Sequence, residues 1–343
     1  MTVSDKLKSI EPYVPNENIC KIRLDANESF IEIPQDIKNE IAEACKGILL
    51  NRYPDVLSSG VCKKFAKVHN ISENLVTAGN GSDELIGVII SSFLKKGDKL
   101  LTLTSDFSMY SFYAKITENP VDVFQKEDDL SIDVSKLIKA LNNKDIKMLI
   151  FSNPCNPTSL GLFREDVISI IKSTKALVVL DEAYMDFWDQ SLLSRVEEFD
   201  NLIILRTCSK AFGSAAIRLG FAVANKTLTA YLRAAKSPYN VNSLTQAAGE
   251  VILGHIDFLK TSAQKIICST KYLHSELCKL PDIIYMPKPD TNFVLIKLKN
   301  AKEVYQSLIK CDIMVRQMGN FLRITAGNKY ENDALIKALK SIL

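Results

Sequence analysis

"NLIILRTCSKAFGSAAIRLGFAVAN", residues 201–225, decides how this chain is built. Two apolar, branched runs, at 202–205 and 219–224, flank a loop of small and polar residues. Each run has the length and composition of a buried strand. One lysine, Lys210, stands in the loop beside Ser209 and Ala211, with Arg218 further along. A lysine in so tight a place is either an accident of the loop or a group placed to react. Thr207 and Ser209 add hydroxyls, and Arg218 adds a guanidinium suited to phosphate.

The same rhythm extends upstream. NLVTAG (74–79), KLLTLT (99–104), PVDVFQ (120–125), IKMLIFSNP (146–154) and ALVVLDEAY (176–184) read as strands. Helical runs fall between them: 82–96, 108–116, 133–143 and 164–174. Short apolar strands alternating with helices predict an α/β fold with a mainly parallel, seven-stranded sheet flanked by helices. Past about 240 the pattern changes. Residues 242–280 read as one or two long helices. TNFVLIKL (291–298), a helix at 302–310, a strand near 313–316, FLRIT (321–325) and a last helix at 331–342 suggest a smaller α+β unit. Residues 1–40 read as an extended arm followed by a short helix. The expected division is a large domain at 45–245, with 1–44 and 246–343 forming an arm and a small domain.

Composition narrows the function classes. A formal net charge of +3 over 343 residues argues against nucleic acid or a membrane surface as partner. The longest apolar stretch, 85–94, is about half a membrane span. The first residues lack a signal-peptide core. Eight cysteines with no C-x-x-C pair suggest reduced thiols and a cytoplasmic location. His69, His255 and His274 do not pair at helical spacing, so no metal is expected.

Three further loops follow strands. In AGNGSDELIGVII (78–90) a strand ends in glycines and a helix opens at Ser82, which is either a phosphate site or an ordinary capped turn. In VVLDEAYMDF (178–187) Asp181 closes a strand at the carboxyl edge, where α/β sheets bind ligands, and Tyr184 follows it. In SNPCNPT (152–158) Asn156 offers an amide from a rigid turn. A helix start, an amide, a carboxylate with a phenol, and a lysine with an arginine suit a phosphate, a ring cation and an aldehyde together. Pyridoxal 5′-phosphate has all three.

In these motifs the chain resembles the fold-type I pyridoxal-phosphate aminotransferases, and within them the histidinol-phosphate branch. The resemblance is carried by LDANE (24–28), NRYP (51–54), GNGSDE (79–84), NPCNPT (153–158), DEAY (181–184), TCSKAFG (207–213), IRLG (217–220), KSPYNVN (236–242), TNFVLI (291–296) and FLRIT (321–325). It implies that Lys210 bonds the cofactor aldehyde and Asp181 pairs with the ring nitrogen. Tyr184 and Asn156 would bond the phenolic oxygen, and Tyr110 would stack on the ring and line the substrate site. Gly81, Ser82, Asp83, Thr207, Ser209 and Arg218 would hold the phosphate. Tyr53 would reach the phosphate in the other subunit of a homodimer. Arg323 and Asn27 would bind substrate. The implied reaction moves the amino group of L-histidinol phosphate to 2-oxoglutarate in histidine biosynthesis. Threonine-phosphate decarboxylation and aromatic amino-acid transamination are the alternatives. The chain departs from the family pattern at Ser159, where glycine is usual, at Ser214 and Ala216, in RITAGN, and in lacking a proline after LDANE.

Overall fold

The computed structural model describes residues 4–8, 19–142 and 145–343. Most of the expected extended arm, at 1–3 and 9–18, lies outside the described residues, as does Asn143 at the end of the expected helix 133–143. Eleven strands are described: β1 Ile22–Leu24, β2 Val76–Asn80, β3 Lys99–Leu103, β4 Val121–Phe124, β5 Ile146–Ser152, β6 Leu177–Asp181, β7 Leu202–Thr207, β8 Leu219–Ala224, β9 Phe293–Lys297, β10 Ile313–Met318 and β11 Phe321–Thr325.

Seven of them form one sheet in the order β2-β8-β7-β6-β5-β3-β4. All neighbours run parallel except β8, which is antiparallel to both β2 and β7. The exception follows from the linker. A parallel return needs a crossover, usually a helix; loop 208–218 joins β7 to β8 with only a single 3-10 turn, Ala215–Ile217. Both faces of the sheet are covered, so its strands are apolar on both sides. Val178, Leu180, Leu202 and Ile204 enter one core, and Val179, Ile203 and Leu205 the other. The second core is closed by helix Gly81–Phe93 through Leu85, Ile86, Ile89 and Ile90, all fully buried.

A four-stranded sheet, β1-β10-β11-β9, has its own core of Leu24, Leu277, Val294, Ile296, Val315, Ile324 and Leu335. Its β1 falls in the segment expected as an extended arm. Three residues are too few to show a strand period, yet Ile22 and Leu24 are buried while Arg23 is exposed, and β1 pairs in parallel with β10. Helix Gln35–Lys46 is longer than the short helix expected there. The stretch 242–280 resolves into two helices, Ser243–Gly254 and Ile256–Leu277, which meet at His255.

A buried charge cluster braces the sheet beside the carboxyl edge. Arg206 of β7 pairs with Glu182 at 3.1 Å and with Asp186. Glu182 also accepts hydrogen bonds from Ser191 Oγ at 2.6 Å and from the Leu192 N–H at 3.0 Å. Burial pushes the Glu182 carboxyl up, and the Arg206 guanidinium opposes it. Both acids belong to the loop after β6, so the cluster fixes the chain on either side of Tyr184.

Candidate active site

The carboxyl ends of the parallel strands collect the polar side chains. Asp181 is the last residue of β6 and is buried. Its Oδ2 accepts from the Tyr110 hydroxyl at 2.8 Å and its Oδ1 from the Ala183 N–H at 3.1 Å. Burial outweighs both bonds and pushes the carboxyl up to about 6, with the Asp106 and Glu182 charges adding to the rise. A cation set against Asp181 would restore its charge.

This geometry corrects one expectation. Tyr110 does not offer its ring as an open platform. It is fully buried in the core under the sheet, and its hydroxyl is spent on Asp181. Burial and the Asp181 charge hold the phenol well above its ordinary range. The reason is helical phase. The helix begins at Met109, so Tyr110 turns inward in its first turn. Phe107 lies before the helix and stands edge-on to Tyr110 at 5.6 Å. It is only half-buried, and is the aromatic that this turn leaves accessible.

Lys210 follows β7. Its Nζ donates to the Ala26 carbonyl at 3.1 Å and lies 6.0 Å from the centre of the Tyr184 ring. Burial, and then the Arg323 charge, pull the ammonium down to about 8. A lysine so placed has a usable neutral fraction near neutral pH, as a Schiff-base nucleophile requires. Thr207 and Ser209 are buried beside it, joined by a 3.1 Å bond between their hydroxyls.

The junction of β2 and helix Gly81–Phe93 forms a cradle. Gly81 has φ +79°, a conformation that glycine adopts without strain. A Cβ on Gly81 would stand 2.7 Å from Arg218 Nη2, and one on Gly220 would stand 2.2 Å from the Ser82 nitrogen. Only hydrogen fits at Gly220, where the obstacle is backbone; at Gly81 a Cβ would displace the guanidinium. Arg218 is thereby brought against a helix N-terminus whose amides favour anions. The Asp83 carboxylate accepts from the Tyr113 hydroxyl at 3.0 Å. A phosphate suits the cradle, an amine-reactive carbon suits Lys210, and a ring cation suits Asp181.

The second sheet supplies the rest. Arg323 of β11 donates to Asn156 Oδ1 at 2.5 Å and to the Asp25 carbonyl at 2.6 Å. Asn27 Nδ2 donates to the Tyr184 hydroxyl at 2.8 Å, and Asn27 Oδ1 accepts from Thr325 Oγ1 at 3.2 Å. Burial raises the Tyr184 phenol to about 12, so it stays protonated. Its ring meets Phe293 edge-on at 5.3 Å, and Phe293 lies 5.5 Å from the Arg323 guanidinium.

The sequence model for class I and II aminotransferases matches residues 20–339. The chain belongs to this family. A histidinol-phosphate aminotransferase of Clostridium novyi is 42% identical over 97% of this chain and 95% of its own length. The crystal structure of a histidinol-phosphate aminotransferase from Clostridium acetobutylicum superposes with a TM-score of 0.85 at 26% identity, covering 94% of this chain and 98% of that one. Another, from Sinorhizobium meliloti in complex with pyridoxal 5′-phosphate, gives 0.90 at 21% identity, covering 99% and 97%. The architecture is fold type I, and membership of an aminotransferase family implies small-molecule substrates.

Within this aminotransferase scaffold Lys210, Tyr184, Asn27, Arg323 and Asn156 are linked through the contacts above, while Asp181 is held separately by Tyr110 and the Ala183 N–H. Gly81, Ser82, Asp83 and Arg218 make the cradle. Tyr53 stands apart. It is 80% exposed and stacks on Tyr239 at 4.5 Å, away from the bonds that join the other site residues. Three participants escaped the sequence reading. Ala26 offers only a backbone carbonyl. Thr325 closes a strand whose role was read from Arg323 alone. Asp106 accepts from the Phe107 N–H at 2.8 Å and from the Ser152 hydroxyl, whose oxygen takes the Asn156 N–H at 3.1 Å. Asp106 was legible only as a polar residue after a strand.

Proposed function

We propose that the chain transfers the amino group of L-histidinol phosphate to 2-oxoglutarate, using pyridoxal 5′-phosphate and releasing imidazole-acetol phosphate and glutamate. One observation carries the reading: a lysine drawn down to about 8, a buried carboxylate and a glycine-arginine cradle stand along one edge of the sheet, past the ends of β7, β6 and β2. The name of the Clostridium novyi relative supports the choice of amino donor.

When bound, the cofactor supplies an aldehyde for amines and a protonated ring that draws electrons from the substrate α-carbon. The chain's residues do the rest. Asp181 would hold the proton on the ring nitrogen, with Tyr110 orienting its carboxylate. Tyr184 and Asn156 would bind the phenolic oxygen. The Gly81, Ser82 and Asp83 backbone, with Thr207, Ser209 and Arg218, would hold the phosphate. Lys210, at about 8, is about one-tenth neutral at pH 7. Its amine would hold the cofactor through the aldehyde and, when free, would hold and move the substrate α-proton. Arg323 takes the phosphate of the donor and then a carboxylate of the acceptor, since a guanidinium fork fits both anions. Asn27 lines the same side.

The working form is a homodimer in which Tyr53 crosses to the partner's phosphate. The exposed apolar residues Leu49, Leu50, Tyr53 and Leu57 support this. Residues 45–245 form the cofactor-binding unit, and 1–44 with 246–343 the smaller one. Eight free cysteines support a cytoplasmic location. No helix among the described residues is long and apolar enough to cross a membrane.

The test uses the protein loaded with pyridoxal phosphate. Adding L-histidinol phosphate without acceptor removes the visible band of the lysine-bound cofactor, and 2-oxoglutarate restores it. A spectrum that histidinol phosphate leaves unmoved refutes the assignment. Release of carbon dioxide from threonine phosphate would replace it with a decarboxylase.

A further inference from the structure

Ser159 breaks the family pattern, and the structure gives it a partner. Its φ is +67°, the left-handed region that glycine occupies freely and other residues only under strain. The side chain is fully buried. Its Oγ lies 2.6 Å from Thr291 Oγ1 and 3.1 Å from the Phe293 carbonyl oxygen, and Thr291 Oγ1 lies 3.0 Å from the same carbonyl. Two hydroxyl hydrogens satisfy this triangle, one between the hydroxyls and one to the carbonyl. Two backbone bonds frame it, from the Asp290 N–H to the Ser159 carbonyl at 3.0 Å and from the Ser159 N–H to the Cys155 carbonyl at 2.8 Å.

We propose that Ser159 is a positioning residue: its hydroxyl pins the loop that carries Asn156 to the start of β9, and so sets how Asn156 and Arg323 face each other. The loop belongs to the seven-stranded sheet. β9 belongs to the four-stranded one, where Leu295 sits in register with Arg323 and Phe293 with Thr325. The loop therefore touches the second sheet twice, at Asn156–Arg323 and at Ser159–Thr291. The first contact must be remodelled when an anion takes the guanidinium. The second involves no ligand-binding group and persists. It also holds the carbonyl of Phe293, whose ring lies between Tyr184 and Arg323.

The effect on substrate rests on the proposed aminotransferase reading; the pin itself does not. Ser159→Gly removes the hydroxyl and relieves the backbone, so it folds. Ser159→Ala removes the hydroxyl and keeps the strain. A pin acting through the hydroxyl makes the two variants alike. Each raises KM for histidinol phosphate and 2-oxoglutarate about three- to tenfold, as expected of a loosened binding geometry, with kcat within about twofold. Thr291→Val gives the same change, and the double variant Ser159→Gly/Thr291→Val is no worse than either single. A Ser159→Gly enzyme with wild-type KM, or a double variant whose effects add, overturns the proposal. Amide hydrogen exchange of residues 290–296 without ligand supplies a second readout. Exchange quickens in Ser159→Gly if the pin is real, and unchanged exchange overturns it. If wild type fails to turn over histidinol phosphate, the substrate assignment falls while the exchange result still decides the pin.

Discussion

Replacing Tyr110 with phenylalanine separates two roles for this side chain. A stacking ring would survive the change. A donor to Asp181 would not, because the change removes the 2.8 Å bond and little else from a fully buried aromatic. A hydrogen bond to a charged group is worth about 1.5–3 kcal/mol, equivalent to about one to two pKa units. Asp181, already pushed to about 6, then moves higher. The sign follows from linkage. A carboxyl whose folded value exceeds its unfolded one contributes stability below its unfolded pKa and loses it as pH rises through the folded pKa. In the cofactor-free wild type that loss spans pH 4 to about 6. In Tyr110→Phe it extends about one to two units further. The melting curves of the two cofactor-free proteins should therefore lie close at pH 4.5 and separate by about 1.5–3 kcal/mol above pH 7.5. The loaded variant should bind cofactor about tenfold to a hundredfold more weakly. A stability gap that does not change with pH, together with wild-type cofactor affinity, would refute the donor role.

Four further outcomes are expected. Capture of pyridoxal phosphate, followed by its visible band, should speed up with pH and level off above about 8, where the Lys210 ammonium has lost its proton; a rate flat from pH 6 to 9 contradicts this, and Lys210→Ala should form no such band. Arg206→Met should lower stability by about 3–5 kcal/mol in chemical unfolding, because it strands Glu182 and Asp186, and adding Glu182→Gln and Asp186→Asn should recover most of the loss. Arg323→Lys should raise KM for both substrates by roughly tenfold or more, since an ammonium cannot give the paired bonds of a guanidinium; a rise for only one substrate would mean that two anion sites exist. Mixing inactive Tyr53→Ala with inactive Lys210→Ala under exchange conditions should restore activity, because half of the sites in a mixed dimer are intact, and no recovery would exclude a shared site.

The central strands were plain in the sequence because burial on both faces removes polar residues from them. LVVLD and LIILRT have almost no other reading. β1 was hidden by its length, since Ile22–Leu24 gains strand character only from β10. The ends of strands were equally legible, as Asp181 closes one apolar run and Lys210 stands in the polar loop that follows another. What could not be read was direction. Four aromatics crowd residues 107–113, and only the helix start at Met109 decides that Tyr110 points inward while Phe107 does not. Partnership was hidden too. Ser159 stood out as a departure, but Thr291 is 132 residues away. Arg206 looked like one polar residue in a strand until Glu182 and Asp186 were placed beside it.

The pairing of β1 with β10 also has a timetable. Ile22 meets Ile313, and the neighbouring Lys21 N–H reaches the Asp312 carboxylate across 291 residues. At roughly 5–20 residues per second, the β1 segment leaves the ribosome about 15 to 60 s before its partner is made. The strands of the larger sheet, all within 76–224, need no such delay. The phosphate cradle and the lysine are thus synthesised and able to pack while Arg323 is still untranslated. Asp25 and Asn27, translated 298 residues ahead of Arg323 and Thr325, take their places only once those partners have arrived to receive them.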